Sequence, residues 1–456
     1  MKILLAMPEQ NPKSIDVNNV VFIEPLALEY IGAGVKDEHE VQLVDLRIDE
    51  EPRIQEVMRS FKPDIVGTGG CTLDAVSMLK LCREAKEARA DVLTVVGGHH
   101  ASIMPEYFFV PEVDVVVAGE GVWPFKALCR CVEEKKGFDQ VDNIHFRKNG
   151  SWTFTGKTAF PGLDNLPFPD RSLTSHVRHR YIWPVGSEIK PFASVLSSVG
   201  CVYNCKFCST PRLYNRKIFN RRIDRVLEEL NAVEDEFIFW ADDEIMLDHR
   251  RTVELAKAIG AAGIKKGHFY SARSNTIVSH PECVEEWAKI GLELAFIGVE
   301  SHRDKELRSM RKGTSQNKNE EAVRICHANN VKVRGNFMVR PEYDEEDFKS
   351  LIQYVKKLNV DFPNFTIYTP LPGTDLYDEE KDNLLTEDFC LFDVYHAVLP
   401  TKLPLKEFYN QFVRLFVESS SRDMMDQIDP ELRKLIFSNN YSLLQKLMEA
   451  YKHHRQ

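Results

Sequence analysis

The chain has 456 residues, a formal charge of −10, 43% hydrophobic residues and 28% charged ones. This is the balance of an ordinary globular protein with length for about three domains of roughly 150 residues. The acidic balance argues against a general nucleic-acid binder, which carries a basic excess, and the apolar runs fall far short of the roughly 20 residues that span a bilayer.

The first stretch, "MKILLAMPEQNP", turns polar too early for a secretion signal and predicts an opening strand of a cytoplasmic protein. Strands are then predicted at "VQLVDL", "DIVGTGG", "VLTVVGG" and "VDVVVAG", separated by helical patterns such as "DAVSMLKLCREAKEA". Their near-continuous hydrophobicity fits parallel strands buried on both faces. Residues 1–142 therefore predict an α/β, doubly wound, Rossmann-like sheet. Such a sheet binds ligands beyond its strand ends, here Gly67-Thr68-Gly69-Gly70, Gly97-Gly98-His99-His100 and Gly119-Glu120-Gly121.

Residues 143–191 predict a hairpin turning at Asn149-Gly150, then an extended inter-domain linker carrying Pro161, Pro167 and Pro169, with Pro184 beyond. Between 192 and 378 the alternation resumes at "FASVLSS", "EFIFWADD", "HFYSARS", "LELAFIGVES", "VKVRGNFMV" and "NFTIYTP". Six such units predict a partial (β/α)6 TIM barrel with its chemistry at the carboxyl ends of the strands. The last segment, 379–456, predicts helices. Phe408, Phe412, Leu415 and Phe416 line one face, and Leu432, Leu435 and Ile436 begin a second helix.

Ten cysteines without a secretion signal do not predict a disulfide framework, and the seven scattered ones read as small buried hydrophobes. Cys201, Cys205 and Cys208 differ. They form a C-x3-C-x2-C loop just after the first strand of the second alternating region. A closed zinc site needs a fourth ligand, and a thioredoxin-type pair needs only C-x2-C. Three thiolates suit a [4Fe-4S] cluster, holding three irons and leaving the fourth open.

With Phe207 before the third cysteine, the motif resembles that of the radical S-adenosylmethionine (SAM) superfamily, C-x3-C-x-aromatic-C. The resemblance implies that SAM chelates the open iron through its methionine amino and carboxylate groups. One electron then cleaves the sulfonium to a 5′-deoxyadenosyl radical. It also implies an external electron donor such as flavodoxin or ferredoxin. Asp242 and Asp243, after the second barrel strand, match a turn that would accept the SAM ammonium. Arg273 on the third strand would meet its carboxylate. Glu300 and Ser301, ending the fourth strand, match a ribose position. The sequence departs from the family after strand five, where "VRPEYDEED" replaces a Gly-Pro-Gly-Glu-like turn.

The front of the chain resembles a cobalamin-binding domain through "KPDIVGTGG", "VVGGHHASIMPE" and "VVAGEGVWPF". The cofactor would be met by Thr68, Gly69, Gly70, Thr72, Gly97, Gly98, His100 and Glu120. The D-x-H-x-x-G motif that supplies an axial histidine is absent, so a bound corrin would lack that ligand. The linker "LDNLPFPDRS" and "TPLPGTDLYDE" share the resemblance, and the whole is nearest the hopanoid methylase-type branch. The implied function is a cobalamin-dependent radical SAM methylase. One SAM would methylate cob(I)alamin, and another would yield the radical that activates an unactivated carbon of a small molecule, for which the apolar C-terminal helices suggest a lipid-like substrate. The alternatives are a non-methylating cyclase or coupling enzyme on the same scaffold, and a cobalamin carrier or sensor with a structural cluster.

Overall fold

The computed structural model describes residues 1–15, 22–48, 51–185, 188–419, 445–450 and 452. It divides into two compact units, each with its own sheet.

The first unit comprises Met1–Ser14, Glu24–Arg180 and Asp388–Cys390. Five parallel strands form its sheet: β1 (Lys2–Met7), β2 (Glu40–Asp45), β3 (Ile65–Gly69), β4 (Leu93–Gly97) and β5 (Val115–Val117). Their order is β2-β1-β3-β4-β5. Helices cover both faces, which is why the strands lack polar alternation. Ile3, Leu5 and Val95 pack with Phe125 and Leu128 on one side, and Leu4 and Val66 with Val57 and Leu81 on the other. The predicted hairpin forms as β6 (Ile144–Lys148) and β7 (Ser151–Phe154), turning through left-handed Asn149 (φ 53°) and Gly150 (φ 83°). It does not stand apart from the sheet, because β6 pairs antiparallel with β5.

The proline-rich stretch is not an extended linker within this unit. It folds into 3-10 turns at Leu163–Asn165 and Arg171–Arg180, the second of which lies on the helix Leu26–Val35. Asp170 donates its N–H to the Glu29 carbonyl (3.1 Å), and a Cβ at Gly32 would stand 2.4 Å from Leu173 Cδ1. A side chain there would make the Leu173 side chain shift.

The second unit comprises Ile15–Ile23, Tyr181–Glu387 and Leu391–Gln456. Its sheet opens with the antiparallel pair β8 (Ile182–Val185) and β9 (Glu188–Val195). A short ribbon of β10 (Ser198–Val199) and β11 (Phe219–Asn220) follows. Then come β12 (Phe237–Trp240), β13 (Gly267–Ala272), β14 (Leu292–Glu300), β15 (Lys332–Val339) and β16 (Phe362–Ile367). The order β16-β15-β14-β13-β12-β9 is wholly parallel, the partial six-unit barrel expected. Alternate residues separate two environments. Ile238, Tyr270, Ile297 and Val333 pack in the large core with residues such as Leu255, Trp287 and Leu351. Phe192, Phe237, Phe269 and Leu294 form a separate aromatic cluster with Trp183, Phe239 and Phe296.

The helix Leu405–Ser419 buries Phe408, Phe412 and Leu415 as its periodicity requires. The second helix expected from Leu432, Leu435 and Ile436 lies outside the described residues. No described helix is long and apolar enough to cross a membrane.

One feature of the first unit gives a pH signature. Glu29 is fully buried, one oxygen accepts from Thr174 Oγ1 (2.6 Å), and the other has no partner among the described residues. Burial, reinforced by the charge of Glu24, pushes it up to about 8 from 4.5, against the pull of Thr174, Arg171 and Arg178. The folded state thus keeps a proton that the unfolded chain releases above pH 4.5. This group's contribution is intact below that pH and is lost as pH rises through about 8. Glu29→Gln should therefore flatten the fall in stability between pH 5 and 8. At pH 8 it should match or exceed the wild type in urea unfolding. Identical pH slopes in both proteins would contradict the assignment.

Candidate functional site

The three-cysteine loop leaves β9 and is held by two acidic residues that follow β12. Because Val195 and Trp240 are paired in register, the residues after them emerge side by side. Asp242 is buried and accepts from Ser197 N (2.8 Å), Ser197 Oγ (2.7 Å) and Ser198 Oγ (2.6 Å). Burial pushes its carboxyl upward, while the two serine hydroxyls and the amide oppose that shift. Asp243 accepts from Gly200 N (2.7 Å), just before the first cysteine, and from Thr210 Oγ1 (3.0 Å), just after the last. The pair expected to meet an ammonium is thus engaged along the loop. Asp242 is the more committed, and Asp243 remains exposed.

Gly200 completes the turn. Its φ is +94°, and a Cβ there would lie 2.2 Å from the Lys217 carbonyl oxygen. Further along, Lys206 N donates to Met310 O (3.0 Å) and Leu376 N to Lys206 O (2.9 Å). The Phe207 ring packs with Met310, Tyr368 and Leu376. The aromatic position therefore anchors the loop to the far strand ends.

Cys205 is buried, while Cys201 and Cys208 are half-buried. Burial pushes Cys201 up to about 11 and raises Cys208 as well, so these thiols stay protonated until a metal displaces the proton. Among the described residues no three His, Cys, Asp or Glu side chains are grouped to hold one metal ion. A cubane cluster takes one thiolate per iron and needs no such convergence. The donor set fits a cluster.

Arg273, at the end of β13, is aimed at this loop. Its Nη1 donates to Cys205 Sγ (3.1 Å), its Nε to Asn275 Oδ1 (3.0 Å), and its guanidinium lies 3.7 Å from the Tyr203 ring centroid. Its Nη2 is buried without a partner among the described residues. Nearby, Glu244 is buried and accepts from Thr276 Oγ1 (3.0 Å). Burial pushes it up to about 7, against the attraction of Arg273 and Lys312.

Glu300 ends β14 at a bulge, in a left-handed conformation with φ 64°. Its carboxylate accepts from Lys312 Nζ (2.7 Å) and Asn336 Nδ2 (3.2 Å). A Cβ at Gly298 would stand 2.3 Å from Glu300 Oε1, so the pair needs glycine beneath it. Ser301 is turned into the following helix, donating to Glu306 Oε2 (2.5 Å) and accepting from Arg303 N (3.0 Å). Glu244, Lys312 and Asn336 belong to this buried polar group, and sequence reading did not select them. Glu244 directly follows Asp242 and Asp243 in sequence, whereas Lys312 and Asn336 carried no motif signal.

In the first unit the strand ends of β3 and β4 meet backbone to backbone. Gly69 pairs with Gly97, and a Cβ at Gly98 (φ +91°) would lie 2.7 Å from Gly70 N. Ser102, also unselected, donates to Gly98 O (2.7 Å) and accepts from Gly119 N (2.8 Å), tying the β4 and β5 turns together. Glu120 accepts from Val122 N (2.5 Å), at the start of the helix Val122–Glu133.

Thr72 and His100 lie beneath this rim. His100 Nδ1 faces Thr72 Oγ1 (3.2 Å), and its ring is enclosed by Tyr107, Phe108 and Phe389 at centroid distances of 5.3, 5.7 and 4.8 Å. Burial pulls it down to about 4, so the imidazole is neutral. Its Nε2 and the buried Thr68 Oγ1 have no partner among the described residues. A side-chain-free glycine rim above two unsatisfied buried polar atoms fits a corrin with its nucleotide tail.

A B12 binding domain model matches residues 16–129, and a Radical SAM superfamily model matches 195–355. A hopanoid C-3 methylase of Methylococcus capsulatus is 30% identical over 400 residues, covering 86% of this chain and 75% of that one. An uncharacterized methyltransferase of Pyrococcus horikoshii is 27% identical over 416 residues, 88% of each chain. The solved structure of the radical SAM methyltransferase TsrM from Kitasatospora setae, with cobalamin and [4Fe-4S] cluster bound, shares the fold. Its TM-score is 0.72 over 99% of each chain at 14% identity.

The loop geometry makes a sharp prediction. Gly200→Ala must move the Lys217 carbonyl, so it should lose most of its iron and sulfide after anaerobic reconstitution. Gly263→Ala is the control. Gly263 is also left-handed (φ +68°) but has nothing within 4 Å of an added Cβ. It should lose about 1 kcal/mol of stability and keep a full cluster. Equal iron content in the two variants would show that the Gly200 contact does not shape the loop.

Proposed function

The chain belongs to the cobalamin-dependent radical SAM methyltransferase family, and from that premise we propose that it methylates an unactivated carbon of a small, lipid-like molecule. The observation that carries this reading is the braced three-thiol loop with Arg273 against Cys205. When bound, the cluster supplies the electron that cleaves SAM, and cobalamin carries the methyl group.

Cys201, Cys205 and Cys208 hold the cluster. Arg273 Nη2, buried and unpartnered among the described residues, is the natural donor to the SAM carboxylate. Asp243, exposed beside the loop, takes the ammonium, while Asp242 positions the loop through Ser197 and Ser198. Glu300 and Lys312, a buried ion pair, form part of the surface that meets the ribose. In the first unit Thr68, Gly69, Gly70, Gly97 and Gly98 accept the corrin tail, with His100 and Thr72 supporting them from below. Glu120 fixes the next turn of the rim. Lipid-like chemistry is supported by the hopanoid relative. The reaction takes place in the reducing cytoplasm, with a low-potential protein such as flavodoxin or ferredoxin as electron source.

The test is one anaerobic preparation with hydroxocobalamin, counted for both iron and corrin. Cys205→Ala should lose the iron–sulfur absorbance, and Gly98→Leu should lose corrin while keeping iron. Arg273→Gln should keep iron but bind SAM more weakly by ten- to a hundredfold, from about 1.5–3 kcal/mol for a hydrogen bond to a charged group. Wild-type protein with a full cluster and no corrin uptake would sink the methylase reading and favour a cyclising or coupling enzyme.

A further inference from the structure

We propose that the turn Tyr214–Lys217, with the exposed Val202, is the docking surface for an acidic one-electron donor protein. The proposal rests on the reading of the loop as a reducible cluster site.

Three observations carry it. First, charge is concentrated here against the trend of the chain. Between residues 212 and 225 stand Arg212, Arg216, Lys217, Arg221, Arg222 and Arg225, with Asp224 and no other acidic residue before Glu228, in a protein of net charge −10. Several of these cations are already matched: Arg212 by Asp375 and Asp378, Arg221 by Glu229, Arg222 by Asp224 and Arg225 by Glu228. Arg216 and Lys217 are not. Both are exposed, and neither has a carboxylate partner among the described residues. Among the described residues the guanidinium of Arg216 reaches only the Val202 carbonyl, with Nε and Nη2 each at 3.4 Å.

Second, the backbone is held in an unfavourable form to present them. Asn215 and Arg216 are consecutive non-glycine residues with φ of 51° and 55°. Left-handed conformations are unfavourable for residues that carry a side chain, Asn less so than Arg. This one is secured by Arg216 N donating to Pro211 O (2.7 Å).

Third, the turn lies against the cluster loop itself. The Lys217 carbonyl is the atom that excludes a side chain at Gly200, one residue before Cys201. Val202, one residue after it, is 43% exposed, an apolar side chain beside two unmatched cations. An apolar centre with a cationic rim suits a partner whose acidic rim surrounds an exposed redox group.

In the step this surface serves, one electron leaves the donor's reduced flavin or iron–sulfur centre, which is oxidised. It arrives at the group held by the three cysteines, which is reduced. No atom is transferred.

The experiment compares wild type, Lys217→Glu and Arg216→Glu/Lys217→Glu, each reconstituted and counted for iron. Dithionite-driven 5′-deoxyadenosine formation should be unchanged in all three. Its absence in wild type would overturn the cluster reading rather than the docking surface. With reduced flavodoxin or ferredoxin at low salt, cluster reduction followed optically should slow at least tenfold in the double variant and less in the single one. The slope against ionic strength should become shallower. Independently of activity, carbodiimide should join Lys217 of the wild type to a donor carboxylate, identified by mass spectrometry. Equal reduction rates, cross-links confined to other lysines, or no reduction of wild type by either donor would overturn the proposal. Preferential binding of the patch to anionic vesicles would do the same.

Discussion

The arrangement of the second unit depends on one buried carboxylate. Asp242 gathers an amide and two hydroxyls from Ser197 and Ser198 at the point where β9 becomes the cysteine loop. Without those donors the buried charge would be costly, and without the carboxylate three polar groups would be left unsatisfied. Arg251 adds to the same junction, donating to Ser197 Oγ (3.2 Å) and Ser197 O (3.1 Å). The start of the loop is therefore fixed by a closed polar network. Asp243 and Gly200 extend that order to the first cysteine.

The far side of the barrel mouth is built on the same logic with opposite charges. Glu300 is strained into a left-handed turn, and its carboxylate is held by Lys312 and Asn336, the latter also joined to Asn364 (2.8 Å). Strained backbone persists where its surroundings over-determine it. Between these two networks lie Arg273, with one buried donor unpartnered among the described residues, and Glu244, whose carboxyl burial pushes up to about 7. The mouth is thus a rigid polar frame with few unmatched groups, and the unmatched ones are where a ligand has most to gain. The aromatic cluster of Phe192, Phe237 and Phe269 keeps the opposite end of the sheet apolar.

Much of this was legible in the residues because local signals carried it. Strand composition, the Asn149-Gly150 turn and the cysteine spacing each act over fewer than ten positions. What escaped notice was set by distance along the chain. The loop-bracing part of Asp242 was not visible because nothing local reveals that Ser197, 45 positions earlier, is its partner. Lys312 and Asn336 meet Glu300 only once β14 and β15 are paired. The proline-rich stretch was misread for a related reason. Prolines remove periodicity, and 3-10 turns packed on a helix leave no pattern distinct from a linker. His100, chosen for its place on a glycine rim, proved to be enclosed by aromatic rings, one of them Phe389, nearly 300 positions away.

The serine–aspartate junction also makes the cysteine loop part of the same cooperative unit as the sheet. Side chains alternate along a strand, so a one-residue slip of β12 against β9 would carry Asp242 to the other face. The Ser197 amide donates to a carboxylate fixed by that register, not to a mobile loop partner. Its exchange is expected to follow the opening of the Val195–Trp240 pairing. Hydrogen exchange at a loop position would then report the opening free energy of the central strands, an unusual assignment for a residue outside any long strand. A ligand that tightened the loop would be felt as slower exchange throughout the β9–β12 pair.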